Sequence, residues 1–125
     1  MVARAMPPDL DPDRHAFALT ECERLFGHCR TTHEALLIPS LAIWSAFSGG
    51  EVQCGEDLPR FGRVSFLLDH WLVLECGRRW RKRDSALIEA GFGVTRLDMN
   101  DPSELRRELR CAFVHLRAQA LATRH

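Results

Sequence analysis

The sequence predicts one α/β domain over residues 11–125, with elements ordered α-α-β-β-β-α-β-α, behind a flexible tail at 1–10. Three observations predict it. Apolar residues recur at three- and four-residue spacing towards both ends of the chain, the mark of amphipathic helices. Near Val52 the period changes to short, nearly continuous apolar runs, the mark of strands covered on both faces. Cap residues, prolines and glycines stand at the boundaries between these segments.

Asp11-Pro12 reads as an N-cap followed by proline at the first helical position. Phe17, Ala18, Cys22, Leu25, Phe26 and Cys29 then form the apolar stripe of a first helix. Thr31 and Glu34 form a capping box that opens a second helix through Leu36, Leu37, Leu41, Trp44 and Phe47, closed by Gly49-Gly50. Pro39 is expected to kink that helix or restart it. Val52-Gln53-Cys54 is a short extended segment, and Gly55 to Pro59 is expected to be a loop. Arg63–Leu68 and Trp71–Cys76 are two strands around a tight Asp69-His70 connection. Arg81–Ala90 is a helix ended by Gly91 and Gly93, and Val94–Leu97 is a further strand. Asp101-Pro102-Ser103-Glu104 opens the last helix, which carries Leu105, Leu109, Ala112, Phe113 and Leu116 on one face.

The 125 residues carry 17 basic and 17 acidic side chains, so the net charge is zero. The signs are segregated: residues 1–59 hold four Arg against nine acids, and residues 60–125 hold thirteen Arg or Lys against eight. Such asymmetry hints at nucleic-acid contact, or at two halves that face each other. No apolar run approaches the roughly 20 residues that span a bilayer, and the first residues lack the apolar centre of a signal peptide. Five cysteines without close pairing do not form a disulfide framework, so a reducing cytoplasm is the expected compartment.

From Glu34 to Phe113 the ordered set of elements resembles the small PD-(D/E)xK (restriction-endonuclease-like) domains related to very short patch repair endonucleases. The resemblance is carried by Arg63-Val64-Ser65-Phe66-Leu67-Leu68, Trp71-Leu72-Val73-Leu74-Glu75-Cys76-Gly77, Arg83-Asp84, Gly91-Phe92-Gly93-Val94-Thr95-Arg96 and Asp101-Pro102-Ser103-Glu104. It implies a three-layer fold with a central mixed sheet flanked by helices. It also implies a Mg²⁺-dependent hydrolase site in which carboxylates from neighbouring strands, joined by a helix-borne Glu, hold the metal that activates water. Ser65 stands at the Asp position of that site, and Gly77 stands where a Lys or Asp would follow Glu75. The resemblance therefore implies a nucleic-acid-associated protein with a degenerate centre, weakly active or inactive. An active metal-dependent endonuclease with a rearranged centre of Glu34, Asp69 and Glu75, its Mg²⁺ on Glu75 and Asp69, is the alternative. A protein-protein interaction or regulatory module, docking a partner or a second copy through the N-terminal helices, is a third reading.

Each candidate also has a structural reading. Glu75 on a covered strand needs either a metal or an ion pair with one of the nearby arginines, such as Arg96. Asp69 and His70 are turn residues, and the capping box accounts for Glu34. Arg78, Arg79, Trp80, Arg81, Lys82 and Arg83 place five cations around one aromatic, a pattern suited to phosphate contacts and to stacking on DNA or RNA. Arg106, Arg110, Arg117 and Arg124 share one face of the last helix. Cys22, His28, Cys29 and His33 lack the spacing of a standard zinc site and read as core residues.

Overall fold

A computed structural model describes residues 11–77 and 81–122, and within them four helices and four strands follow in the expected order. The tail at 1–10, together with Arg78, Arg79, Trp80 and Arg124, lies outside the described residues.

Helix α1 (Pro12–Phe26) starts where the Asp11 carboxylate accepts from the Arg14 N–H at 2.8 Å. Helix α2 (Thr32–Ser48) starts where Thr31 Oγ1 accepts from the Glu34 N–H at 3.0 Å, and it ends at Gly49 with φ +74°. Pro39 does not divide α2. Ile38, Leu41 and Ala42 around it are fully buried, and their packing carries the helix past the hydrogen bond that proline cannot donate.

Strands β1 (Val52–Leu58), β2 (Gly62–Leu68) and β3 (Leu72–Cys76) form an antiparallel meander. Helix α3 (Arg81–Glu89) then returns the chain so that β4 (Gly93–Leu97) pairs parallel to β3, in sheet order β1-β2-β3-β4. The sheet is therefore mixed. Asp69 (φ +51°) and His70 (φ +58°) make the tight turn between β2 and β3, and the Trp71 N–H closes it onto the Leu68 carbonyl at 3.0 Å. Helix α4 (Pro102–Ala122) begins where Asp101 Oδ1 accepts from the N–H groups of Ser103 and Glu104.

A further expectation fails. Gly55 to Pro59 is not a loop, because β1 continues to Leu58 with Glu56, Asp57 and Leu58 paired to Val64, Arg63 and Gly62. Glycine and two acids read as loop composition, but Gly55 takes φ +67° and lets the hairpin turn over while staying paired. Before it, Val52 and Cys54 join Phe66 and Leu68 beneath α1, α2 and α4. Beyond it, Leu58 and Val64 join Val73 and Leu87 on the α3 face. Helices thus cover both faces of the sheet, and the core has two parts. A Cβ at Gly55 would lie 2.9 Å from both the His28 carbonyl oxygen and the Arg63 guanidinium. Gly55→Ala is accordingly expected to cost about 2 kcal/mol, read as a lower urea midpoint at unchanged slope.

Candidate functional site

The sequence candidates meet at Ser65, in the middle of β2. On β3, Leu72, Val73 and Leu74 are buried in the two halves of the core, and Glu75 follows them at the end of the covered stretch, 7% exposed. Its Oε1 accepts from the Ser65 N–H at 2.6 Å, so the carboxylate occupies a position that a strand carbonyl would take in a regular ladder. Its Oε2 accepts from Arg83 Nη1 at 2.5 Å. Arg83, in the first turn of α3, donates two further bonds, from Nε to the Phe61 carbonyl at 3.1 Å and from Nη2 to the Arg63 carbonyl at 2.7 Å. One guanidinium thereby ties α3 to β3 and to the β1–β2 turn.

The ion-pair partner of Glu75 is Arg83 rather than Arg96. Arg96 does face Glu75 in the β3–β4 register. Its guanidinium instead binds Asp84 of α3 through two bonds of 2.8 Å, a bidentate geometry that fixes both groups.

Glu34 is the second carboxylate near Ser65. It is 2% exposed, in the first turn of α2. Its Oε1 accepts from the Arg30 N–H at 2.9 Å and from Arg63 Nη2 at 2.8 Å, and its Oε2 accepts from Arg63 Nη1 at 2.8 Å. Burial pushes the Glu34 carboxyl up, but the bonds from Arg63, from the Arg30 N–H and from the Ser65 hydroxyl outweigh it and hold the group below the usual carboxylate range. Cys76 also lies against the Ser65 hydroxyl, and burial with the nearby Glu34 and Glu75 pushes its thiol up to about 12. Burial, reinforced by Glu34, pushes Cys54 up to about 11. Neither thiol is a nucleophile at neutral pH.

Asp69 is not part of this group. Its Oδ1 accepts from the Glu51 N–H at 2.8 Å and its own N–H donates to the Glu51 carbonyl at 2.9 Å, fastening the β2–β3 turn to the entry of β1. His70 pairs with Glu51 beside it. Three strand positions, roughly 10 Å, separate Leu68 at that turn from Ser65. The structure therefore brings Glu34 and Glu75 together around Ser65 and leaves Asp69 at the far end of the hairpin.

Of the cationic run, Arg81 and Lys82 are exposed at the start of α3, whereas Arg83 is turned inward. Arg60 is exposed in the β1–β2 turn with φ +75°. Because Arg83 binds the carbonyls of Phe61 and Arg63, that turn and the start of α3 share one rim of the domain. On α4, Arg106, Arg110 and Arg117 are exposed. An open groove of about 710 Å³ beside β4, walled by Asp84, Asp98, Asp101, Glu104 and Glu108 against Arg81 and Arg96, is too acidic to hold a polyanion.

The residues at Ser65 do not fit Mg²⁺. A hard cation needs several free oxygen ligands. All four carboxylate oxygens of Glu34 and Glu75 accept bonds from guanidinium or backbone N–H groups, and two guanidinium charges already balance the two carboxylates. Among the described residues no three His, Cys, Asp or Glu side chains are grouped to hold a metal ion, and Cys22 and Cys29 pack against the core.

Arg63 and Arg83 are the two residues that sequence reading missed in these roles. The Glu34–Arg63 pair spans 29 positions, and no local spacing announces it. The one available signal was Arg83 at the start of a helix that must return across β3. No helix among the described residues is long and apolar enough to cross a membrane. Comparison with protein-family models, with curated proteins and with solved structures finds no match.

Proposed function

We propose that this chain is a nucleic-acid-associated domain of the PD-(D/E)xK type in which arginines have closed the former metal centre. One observation carries the reading: Glu34 from the helix before the meander and Glu75 from its third strand both reach the Arg63–Ser65 stretch of β2, Glu34 through the Arg63 guanidinium and Glu75 through the Ser65 N–H, and each is held by a guanidinium. These are the positions from which the resembled family presents its acids. An α-β-β-β-α-β core, with an antiparallel meander and a parallel fourth strand, agrees with that family's layout. Arg60, Arg81 and Lys82 lie on the same rim, and Arg78 and Arg79 shortly precede Arg81 in the sequence.

Phosphate contacts by this rim make affinity fall steeply with salt, and make it indifferent to base sequence. Replacing Arg78, Arg79, Arg81 and Lys82 with Ala, and leaving Arg83 intact, is expected to weaken DNA and RNA binding by about tenfold or more at low salt and to flatten the salt dependence. Fluorescence anisotropy against salt concentration measures both. Binding equal to the parent's would remove the nucleic-acid reading. The same preparation is expected to leave plasmid and single-stranded DNA uncut in Mg²⁺ or Mn²⁺. Cleavage that is lost in both Glu75→Gln and Asp69→Ala would replace the closed centre with a working, rearranged one.

A further inference from the structure

The geometry points to a second copy of this chain as the occupant of the outer helical face, on a two-fold axis running along α2, with α1 of each copy lying over α4 of the other. Helix α2 carries no charged residue from Ala35 to Ser48. Helices apolar on every side belong in an interior. Yet Leu36 is 65% and Phe47 38% exposed on its outward side, with Pro39 and Ser40 exposed between them.

The flanking helices supply the complement. Helix α2 lies between α1, whose Arg14 stacks on the Phe47 ring at 5.3 Å, and α4, whose Phe113 stacks on Trp44 at 5.6 Å. On α1, exposed Leu19 and Phe26 bracket exposed Glu23 at helical spacing. On α4, exposed Val114 (63%) and Leu121 (52%) alternate with exposed Arg110 and Arg117 at spacings of four, three and four. A groove of about 590 Å³ between α2 and α4, lined by Phe47, Arg110, Val114, Arg117 and Leu121, leaves room for apolar side chains.

A two-fold axis along α2 turns α1 onto α4 of the mate twice over. Each contact then sets an acidic, apolar stripe on a basic, apolar one, with the uncharged α2 faces against each other at the centre. A nucleic acid would find Arg110 and Arg117 but no use for the apolar residues between them, and the face is independent of the nucleic-acid reading above.

Sedimentation equilibrium tests it. The parent chain is expected to sediment as a dimer. Leu36→Asp, an exposed change in the monomer, is expected to raise the dissociation constant about a hundredfold. Glu23→Arg and Arg117→Glu are each expected to raise it about tenfold, and the two together to restore it to near the parent's value. Because the charge-swap series alters only exposed residues, it decides the matter even where Leu36→Asp disturbs folding. A parent that stays monomeric at all concentrations, or a double charge variant no tighter than either single one, overturns the proposal.

Discussion

Arg83→Ala is expected to destabilise the domain by about 3–5 kcal/mol, because removing one partner of a buried ion pair strands the other without solvent. The stranded group is Glu75, whose side chain is 9% exposed. The substitution also leaves the Phe61 and Arg63 carbonyls without their donors. Three groups on two strands and a turn thus lose one shared cation, and α3 loses its tie to the sheet. Urea unfolding at neutral pH measures the loss. Arg81→Ala, two residues earlier and exposed, serves as the control, expected within about 0.5 kcal/mol of the parent. Glu75→Leu with Arg83→Met should recover a large part of the stability, since apolar groups of similar volume can replace a buried pair without stranding a charge. An Arg83→Ala variant as stable as the Arg81 control would mean that Glu75 reaches water or another partner, and the closed centre would lose its main support.

The stability role of Arg83 changes how the cationic run is understood. In sequence the five cations from Arg78 to Arg83 look equivalent, and such a run around one tryptophan reads as one solvated or phosphate-binding surface. Helical geometry separates them: Arg83 faces the sheet while Arg81 and Lys82 face outward. Local patterning alone does not reveal this, because the orientation of α3 is set by Leu87 packing into the Val64–Val73 cluster.

Elements with local chemical causes were legible in the sequence. Asp11, Thr31 and Asp101 cap their helices, and the Asp69-His70 turn joins the paired strands. The strand at Val94–Leu97 was legible too, and the parallel pairing with β3 that the structure shows accords with the helix placed between them. What escaped depends on contacts distant in sequence. The extension of β1 to Leu58 rests on cross-strand pairing that keeps a glycine and two acids in a strand. The passage of α2 through Pro39 rests on burial of the neighbouring residues. Glu75 needed a cationic partner, as a buried carboxylate must, but which arginine supplied it depended on side-chain direction rather than on strand register. Arg96 had the register and Asp84 had the closer reach. Glu34 was legible as a cap, and its second role was not. Thr31 caps α2 by accepting from the Glu34 N–H, while the Glu34 carboxylate accepts from the Arg30 N–H and receives the Arg63 fork across 29 positions.

That second role makes Glu34→Gln the other large effect, and gives it a pH signature. At pH 7 the charged carboxylate accepts from three N–H groups of Arg63 and Arg30, in addition to the Ser65 hydroxyl. A glutamine amide keeps the shape but turns one acceptor into a donor aimed at the guanidinium. Hydrogen bonds to charged groups contribute about 1.5–3 kcal/mol, so a loss of about 2–3 kcal/mol is expected at pH 7. The sign of the pH dependence follows from the depressed folded-state pKa of Glu34. An unfolded Glu titrates near about 4.3, so below that pH the unfolded chain binds the proton first and stability falls. The contribution of Glu34 is therefore complete above the unfolded value and is lost as pH drops through the lower folded value. Parent and Glu34→Gln are expected to differ most from pH 6 to 7 and to converge as the solution is acidified, with the parent showing the steeper acid limb. Denaturant melts at a series of pH values read this directly. A difference that is as large at pH 3 as at pH 7 would show that the glutamine fails on shape alone, and that the Glu34–Arg63 pair does not carry the charge-dependent hold on the Ser65 centre.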